Sequence, residues 1–297
     1  FVVKGDPRPA VDNFKQGFRL YPLAAAQNPP ATRFISASGL HFSTIHANNE
    51  KFYEEVNAVV QEEPAAAQDP ELLGQLAAIG IVKGQPFAPD ARMQKILAEA
   101  AAIGNATART LALRPRDPDQ FYYPGKAWFI MSGSNGSYLW LRDGARQLDK
   151  RSSMFYLATG VTPAMFTKMV GIGSQYALAA LDAQQQDLDG GKTYKLHLPP
   201  NIPAKNFWSV VVYDTQTRSE LQTNQQFPSL GSQSQNIQAN ADGSYDLYFG
   251  PVAPAGKESN WIQTVPGKSW FTILRLYGPL PTWFDKSWQP GEIELQK

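Results

Sequence analysis

Phe207-Trp208-Ser209-Val210-Val211-Val212-Tyr213, closed by Asp214, is the stretch that decides the fold. β-Branched and aromatic residues dominate it, as they do in strands with at least one buried face. On its C-terminal side, Ala241-Asp242-Gly243-Ser244 turns into Tyr245-Asp246-Leu247-Tyr248-Phe249. Residues 261–265 and 270–277 then add further short runs of the same kind. Short strands with Gly/Pro turns at this spacing predict an all-β sandwich or barrel, with jelly-roll topology as the expectation. On its N-terminal side, residues 176–181 and 193–198 flank Asp189-Gly190-Gly191 and read as a hairpin.

Upstream of Gly173 the hydrophobic period changes to that of helices. Residues 48–61 carry an apolar stripe of Phe52, Val56 and Val59/Val60. Asp69-Pro70-Glu71 is a helix start, with an Asp cap, Pro in the first turn and an acid near the positive end. Pro89-Asp90 opens the longest helix, which runs to about residue 113. Residues 145–157 predict another, and Thr162-Pro163 a short one over 164–170. Before residue 48 the chain is Pro-rich, with one short helical pattern on Val11, Phe14 and Phe18, and Phe1 to Gly5 reads as the tail of a strand. The expectation is an α+β chain in three parts. Residues 1–47 are the tail of an N-terminal β domain and a linker, 48–172 a mainly helical connecting region, and 173–297 an antiparallel β-sandwich.

Lys and Arg total 27 and Asp and Glu 26, a formal net charge of +1, so no general field attracts nucleic acid. With no Cys and three His, disulfides, thiolate metal sites and cysteine nucleophiles are excluded, and no metal or other cofactor is expected. No run approaches the roughly 20 apolar residues of a membrane span. There is no G-x-S-x-G elbow, phosphate loop or dinucleotide glycine fingerprint. Neither composition nor motif selects a reaction.

Several spaced motifs resemble one bacterial family. Residues 206–214 with Gln216-Thr217-Arg218-Ser219, Phe227-Pro228-Ser229-Leu230-Gly231-Ser232, Lys257-Glu258-Ser259-Asn260-Trp261-Ile262, and Leu274-Arg275-Leu276-Tyr277-Gly278-Pro279 are similar, in order, to domain of unknown function 1214. In that family the domain usually follows domain of unknown function 1254, and Arg19-Leu20-Tyr21-Pro22-Leu23 resembles that partner's tail. The resemblance implies a two-sheet, often exported bacterial protein, periplasmic or secreted, with no settled activity. On that resemblance, most of the 1254 sheet is expected to be absent from these residues.

If residues 270–277 form a strand, Phe271, Ile273, Arg275 and Tyr277 share one face. An Arg amid aromatics is costly unless it meets a carboxylate, a carbonyl or a ligand. The structural alternative is an ion pair of Arg275 with Glu258, Asp214 or Asp285. The functional reading joins Arg275 and Tyr277 to Trp208, Arg218, Asn260 and Trp261 as a site for a small polar ligand, a carbohydrate or an organic acid. A second reading is a hydrolase or other acid–base enzyme at the helix–sandwich junction. Its proton-transfer groups would be His46 with Glu50 or Glu54 on one helical side, or Asp214. A third is a structural protein that assembles with sister chains. His41 and His46, five apart, make a poor metal pair, and His197 reads as structural. Asp242-Gly243 reads as a hairpin turn in preference to a calcium loop.

Overall fold

The strands around residue 207 form as expected, and they sit within a computed structural model that describes residues 6–41, 45–131 and 139–296. The reading of residues 1–5 as a strand tail lies outside the described residues. Contacts divide the chain into two units, Phe1–His46 and Ala47–Lys297. In the first, α1 (Arg8–Gly17) begins with Pro in its first turn, and Phe14 stacks on Phe18 with centroids 5.0 Å apart. Phe34 meets Phe18 at 6.0 Å. None of the unit's described residues is buried.

The second unit opens with α2 (Lys51–Glu62), α3 (Pro70–Ala78) and α4 (Ala91–Leu113). Asp69 caps α3 by accepting from the N–H groups of Glu71 and Leu72, and Asp90 caps α4 by accepting from that of Met93. Lys83 closes α2 from outside, its ammonium donating to the carbonyls of Val60, Gln61 and Glu63. The helix expected from residue 48 starts at Lys51, because Asn49 bonds the Lys51 N–H and the preceding residues form a turn. A two-residue hairpin, β1 (Leu141–Arg142) and β2 (Ala145–Arg146), leads into α5 (Leu148–Ala158). Ser153 of α5 donates to the Leu111 carbonyl and joins it to α4. The helix expected over 164–170 is reduced to a single tight turn, Pro163–Phe166.

The remaining elements are β3 (Ser174–Ala179), β4 (Tyr194–Leu198), β5 (Ala204–Asp214), β6 (Ser229–Gly231), β7 (Tyr245–Gly250), β8 (Trp261–Gln263), β9 (Trp270–Pro279), α6 (Pro281–Phe284) and β10 (Ile293–Leu295). They form two four-stranded sheets, ordered β3-β9-β5-β6 and β10-β4-β7-β8. Pairing is antiparallel except between β7 and β8, which run parallel. Val210, Val212, Leu274 and Leu276 of the first sheet share one buried cluster with Leu196, Leu198, Leu247, Phe249 and Ile262 of the second. The two inner faces therefore make a sandwich core, and the chain is α+β as expected.

The hairpin expected around Gly190 does not form. β3 pairs with β9, whereas β4 pairs with β10 and β7 in the other sheet. Gly190 serves a close backbone approach, since a Cβ there would stand 2.1 Å from the Val265 carbonyl oxygen. The turn at Asp242-Gly243 does form. Gly243 has φ +83°, and Asp242 accepts from both the N–H and the hydroxyl of Ser244.

Glu292 lies half-buried against the segment before Phe129. Its Oε2 accepts the Ala127 N–H at 3.1 Å, while Oε1 is buried without a partner. Burial pushes its carboxyl up, against the pull of that N–H and of Lys126. With the folded value above the unfolded one, stability falls as pH rises through the folded value. Glu292→Gln, whose neutral amide is cheaper to bury, is expected to gain about 1 kcal/mol near neutrality. Thermal melts at several pH values should show that gain vanishing in acid.

Candidate ligand-binding face

The alternation of β9 settles where Arg275 points. Trp270, Leu274 and Leu276 enter the sandwich core, so Phe271, Ile273, Arg275 and Tyr277 lie on the outer face of the β3-β9-β5-β6 sheet. Register places Tyr176 and Ser209 on either side of Arg275, and Ser174 and Phe207 on either side of Tyr277. At the other end of this face, Leu113, Phe129, Leu178, Val211 and Phe271 form a second apolar cluster that also takes in Tyr213. The Arg275 end is more open, with Tyr176 36% exposed.

Arg275 is held by aromatics. Its guanidinium carbon lies 5.7 Å from the Tyr176 ring centre and 5.8 Å from that of Tyr213. Nη2 donates to the Tyr213 hydroxyl at 2.5 Å, its one hydrogen bond among the described residues. Nε is buried without a partner. The Tyr213 hydroxyl is pushed up to about 12 by burial, which outweighs the opposing charge of Arg275. It therefore stays protonated at any physiological pH. Next along the face, Phe207 and Tyr277 stack with centroids 4.0 Å apart and planes 17° from parallel. A cation lacking a carboxylate and a flat aromatic platform thus lie on one face of the sheet, rooted two residues apart on β9.

None of the expected acid partners reaches Arg275. Asp214 pairs with Lys268 at 2.6 Å, Glu258 accepts the Gly256 N–H, and Asp285 accepts the Ser287 N–H. Burial alone would raise the Asp214 carboxyl. The Lys268 ammonium and the N–H groups of Gln216 and Thr217 outweigh it and hold the group below the usual carboxylate value. Asp214 is therefore a turn-holding carboxylate and is poorly suited to act as a base.

Of the residues expected beside Arg275, only Tyr277 shares its face. Trp208 points into the sandwich, edge-on to Tyr245 at 5.1 Å. Asn260 is fully used in holding backbone, its side chain accepting from Gln238 N–H and donating to the carbonyls of Gln238 and Asp246. Trp261 lies in the other sheet and donates to the Gly250 carbonyl. Arg218 sits in the turn after β5 at φ +60°, 4.1 Å over the Tyr156 ring. Its Nη2 is buried without a partner. His46 and Glu50 both precede the first residue of α2, so the two do not share a helix. His197 bonds Asp246 across the second sheet at 2.7 Å. Tyr176, Tyr213 and Phe207 were missed, since only the nonlocal strand register sets Tyr176 beside Arg275, Phe207 beside Tyr277 and Tyr213 beside Phe271.

Residues 173–281, which include β3, β5, β6 and β9, match a family model. The family is described as Protein of unknown function (DUF1214). The matched segment thus includes β3, β5 and β9, the strands that carry Arg275 and its neighbours. A crystal structure of the VPA0106 protein from Vibrio parahaemolyticus aligns over 99% of this chain and 67% of its own, at 21% identity and a TM-score of 0.43. An uncharacterized protein from Burkholderia cenocepacia aligns over 83% and 49%, at 11% identity and a TM-score of 0.33. No curated protein matches the chain. Among the described residues no group of His, Asp and Glu is arranged to hold a metal ion, and no helix is long and apolar enough to cross a membrane.

Proposed function

We propose that the chain binds a small organic acid on the outer face of the DUF1214 sheet. The carboxylate would sit on Arg275, and a flat apolar body would lie against Phe207 and Tyr277. One observation carries this reading: a guanidinium on an aromatic face with no ion pair among the described residues and a buried, unpartnered Nε. A carboxylate accepts from two guanidinium N–H groups at once, and such forked, charge-assisted bonds are about twice as strong as neutral ones. The reading includes pairing with a 1254-type domain, whose tail would be Arg19 to Leu23, and export from the cytoplasm. Both rest on the ordered sequence motifs.

Calorimetric titration tests it, with benzoate as the acid and glucose as a neutral sugar. Benzoate is expected to bind the wild type saturably and glucose not at all. Arg275→Ala should weaken benzoate by about tenfold or more, the loss of one charge-assisted contact. Arg275→Lys should fall between, because an ammonium has no fork. Equal benzoate affinity in wild type and Arg275→Ala contradicts the site. Binding of glucose alone replaces the acid with a carbohydrate.

A further inference from the structure

A cavity of about 410 Å³ opens where the β1–β2 hairpin meets α5, away from the residues that surround Arg275. That volume lies in the range of small-ligand pockets. Six of its eleven lining residues are charged: Arg116, Arg142, Arg146 and Lys150, with Asp117 and Asp149. Lys150 forms the floor and is spent on two carboxylates, Asp119 and, at 3.2 Å, Asp117. Asp117 also takes Arg142 at 3.0 Å. Arg116 holds Asp149 at 2.6 Å, in a pair more than half exposed on both sides. Among the described residues Arg146 has no carboxylate partner, and its one hydrogen bond is to the Leu139 carbonyl at 3.3 Å. The cavity therefore carries excess positive charge at its mouth.

We propose that this cavity binds a phosphate-bearing small molecule through Arg116, Arg142 and Arg146. Three guanidinium groups around one space offer more N–H donors than the two oxygens of a carboxylate accept. A phosphate monoester has three terminal oxygens and nearly two charges, and forked guanidinium groups match its geometry. The hairpin fixes two of these arginines. Asp143 and Gly144 turn at φ +51° and +78°, both left-handed, as a tight two-residue hairpin requires. Leu141 registers with Arg146, and Arg142 with Ala145, so the two arginines leave this short ribbon on opposite faces, and it is their long side chains that bring both to the cavity wall. The exposed Arg116–Asp149 pair is weak in water, and an incoming dianion displaces Asp149 from it at little cost.

Phenyl phosphate serves as the probe, followed by backbone amide shifts in the full chain. The wild type is expected to bind it saturably, with the largest shifts over residues 141–150. In Arg116→Gln/Arg146→Gln, whose two sites are exposed and carry no core contact, affinity should drop about tenfold or more. Circular dichroism checks that this double variant keeps the native fold. Arg92→Gln, at an exposed arginine that does not line the cavity, should bind phenyl phosphate as the wild type does, which shows that the loss is not general to surface cations. Absence of saturation, equal affinity in the double variant, or shifts centred elsewhere each overturns the proposal.

Discussion

Lys150→Met is expected to lower stability by about 3–4 kcal/mol, because it removes one partner of a buried ion set and leaves the others behind. The Lys150 side chain is 2% exposed, and its ammonium lies between Asp117 and Asp119. Methionine fills most of the stem's volume, so the loss is electrostatic more than steric. The two carboxylates are 23% and 28% exposed, so water relieves part of the cost. Asp117 also keeps Arg142, which places the effect at the lower end of the range for broken buried pairs. The pH dependence has a definite sign. Burial would raise the Asp117 carboxyl, but the Asp119 N–H, Lys150 and Arg142 outweigh it and hold the group below its usual value. Its stabilisation is complete above the unfolded value of about 4 and is lost as pH falls through the folded one. The gap between wild type and Lys150→Met should therefore narrow in acid. Urea titrations at neutral and acid pH check both parts. A variant as stable as the wild type at neutrality would mean that the ion set contributes nothing.

Trp283→Ala is expected to cost about 3–5 kcal/mol, the range for deleting a large buried aromatic. Trp283 is 0% exposed and lies at the foot of β9, in α6. Its ring stacks on Tyr122 at 4.5 Å and meets Tyr123 edge-on at 6.0 Å. The Tyr122 hydroxyl donates to the Trp283 carbonyl, so the side chain and backbone of one residue hold the segment before Phe129 against the sandwich. The indole Nε1 has no hydrogen-bond partner among the described residues, so the ring contributes through packing. Trp283→Phe, which keeps part of that packing, should cost less than half as much. Thermal melts of the two variants compare them directly. Equal losses in Phe and Ala would contradict a packing role.

The strands of the sandwich were legible where β-branched and aromatic residues ran for five residues or more, as in β5, β7 and β9. β6 and β10 have three residues each, too few to show a period, and no sequence signal marks them. The hairpin expected at Gly190 failed for a different reason. A glycine pair between two apolar runs looks the same whether it makes a turn or lets backbones touch, and only the partner at Val265 decides. The same limit governs the candidate site. Alternation alone put Arg275 with Phe271, Ile273 and Tyr277. The neighbours on β3 and β5 depend on register, which is nonlocal. Trp208 carries an aromatic signal as strong as that of Tyr277 yet faces the core, because residues one apart on β5 point to opposite faces. Lys150 was invisible, since Asp149-Lys150 in a helix reads as a solvated pair. Its burial comes from Asp117 and Asp119, which a loop brings across from the end of α4.

The most direct test of the binding face is a crystal structure of the protein grown with benzoate. The predicted result is a carboxylate forked on the Arg275 guanidinium with its ring against Phe207 and Tyr277. An empty Arg275 face with benzoate bound elsewhere, or an acidic side chain of the protein itself closed onto Arg275, would contradict it.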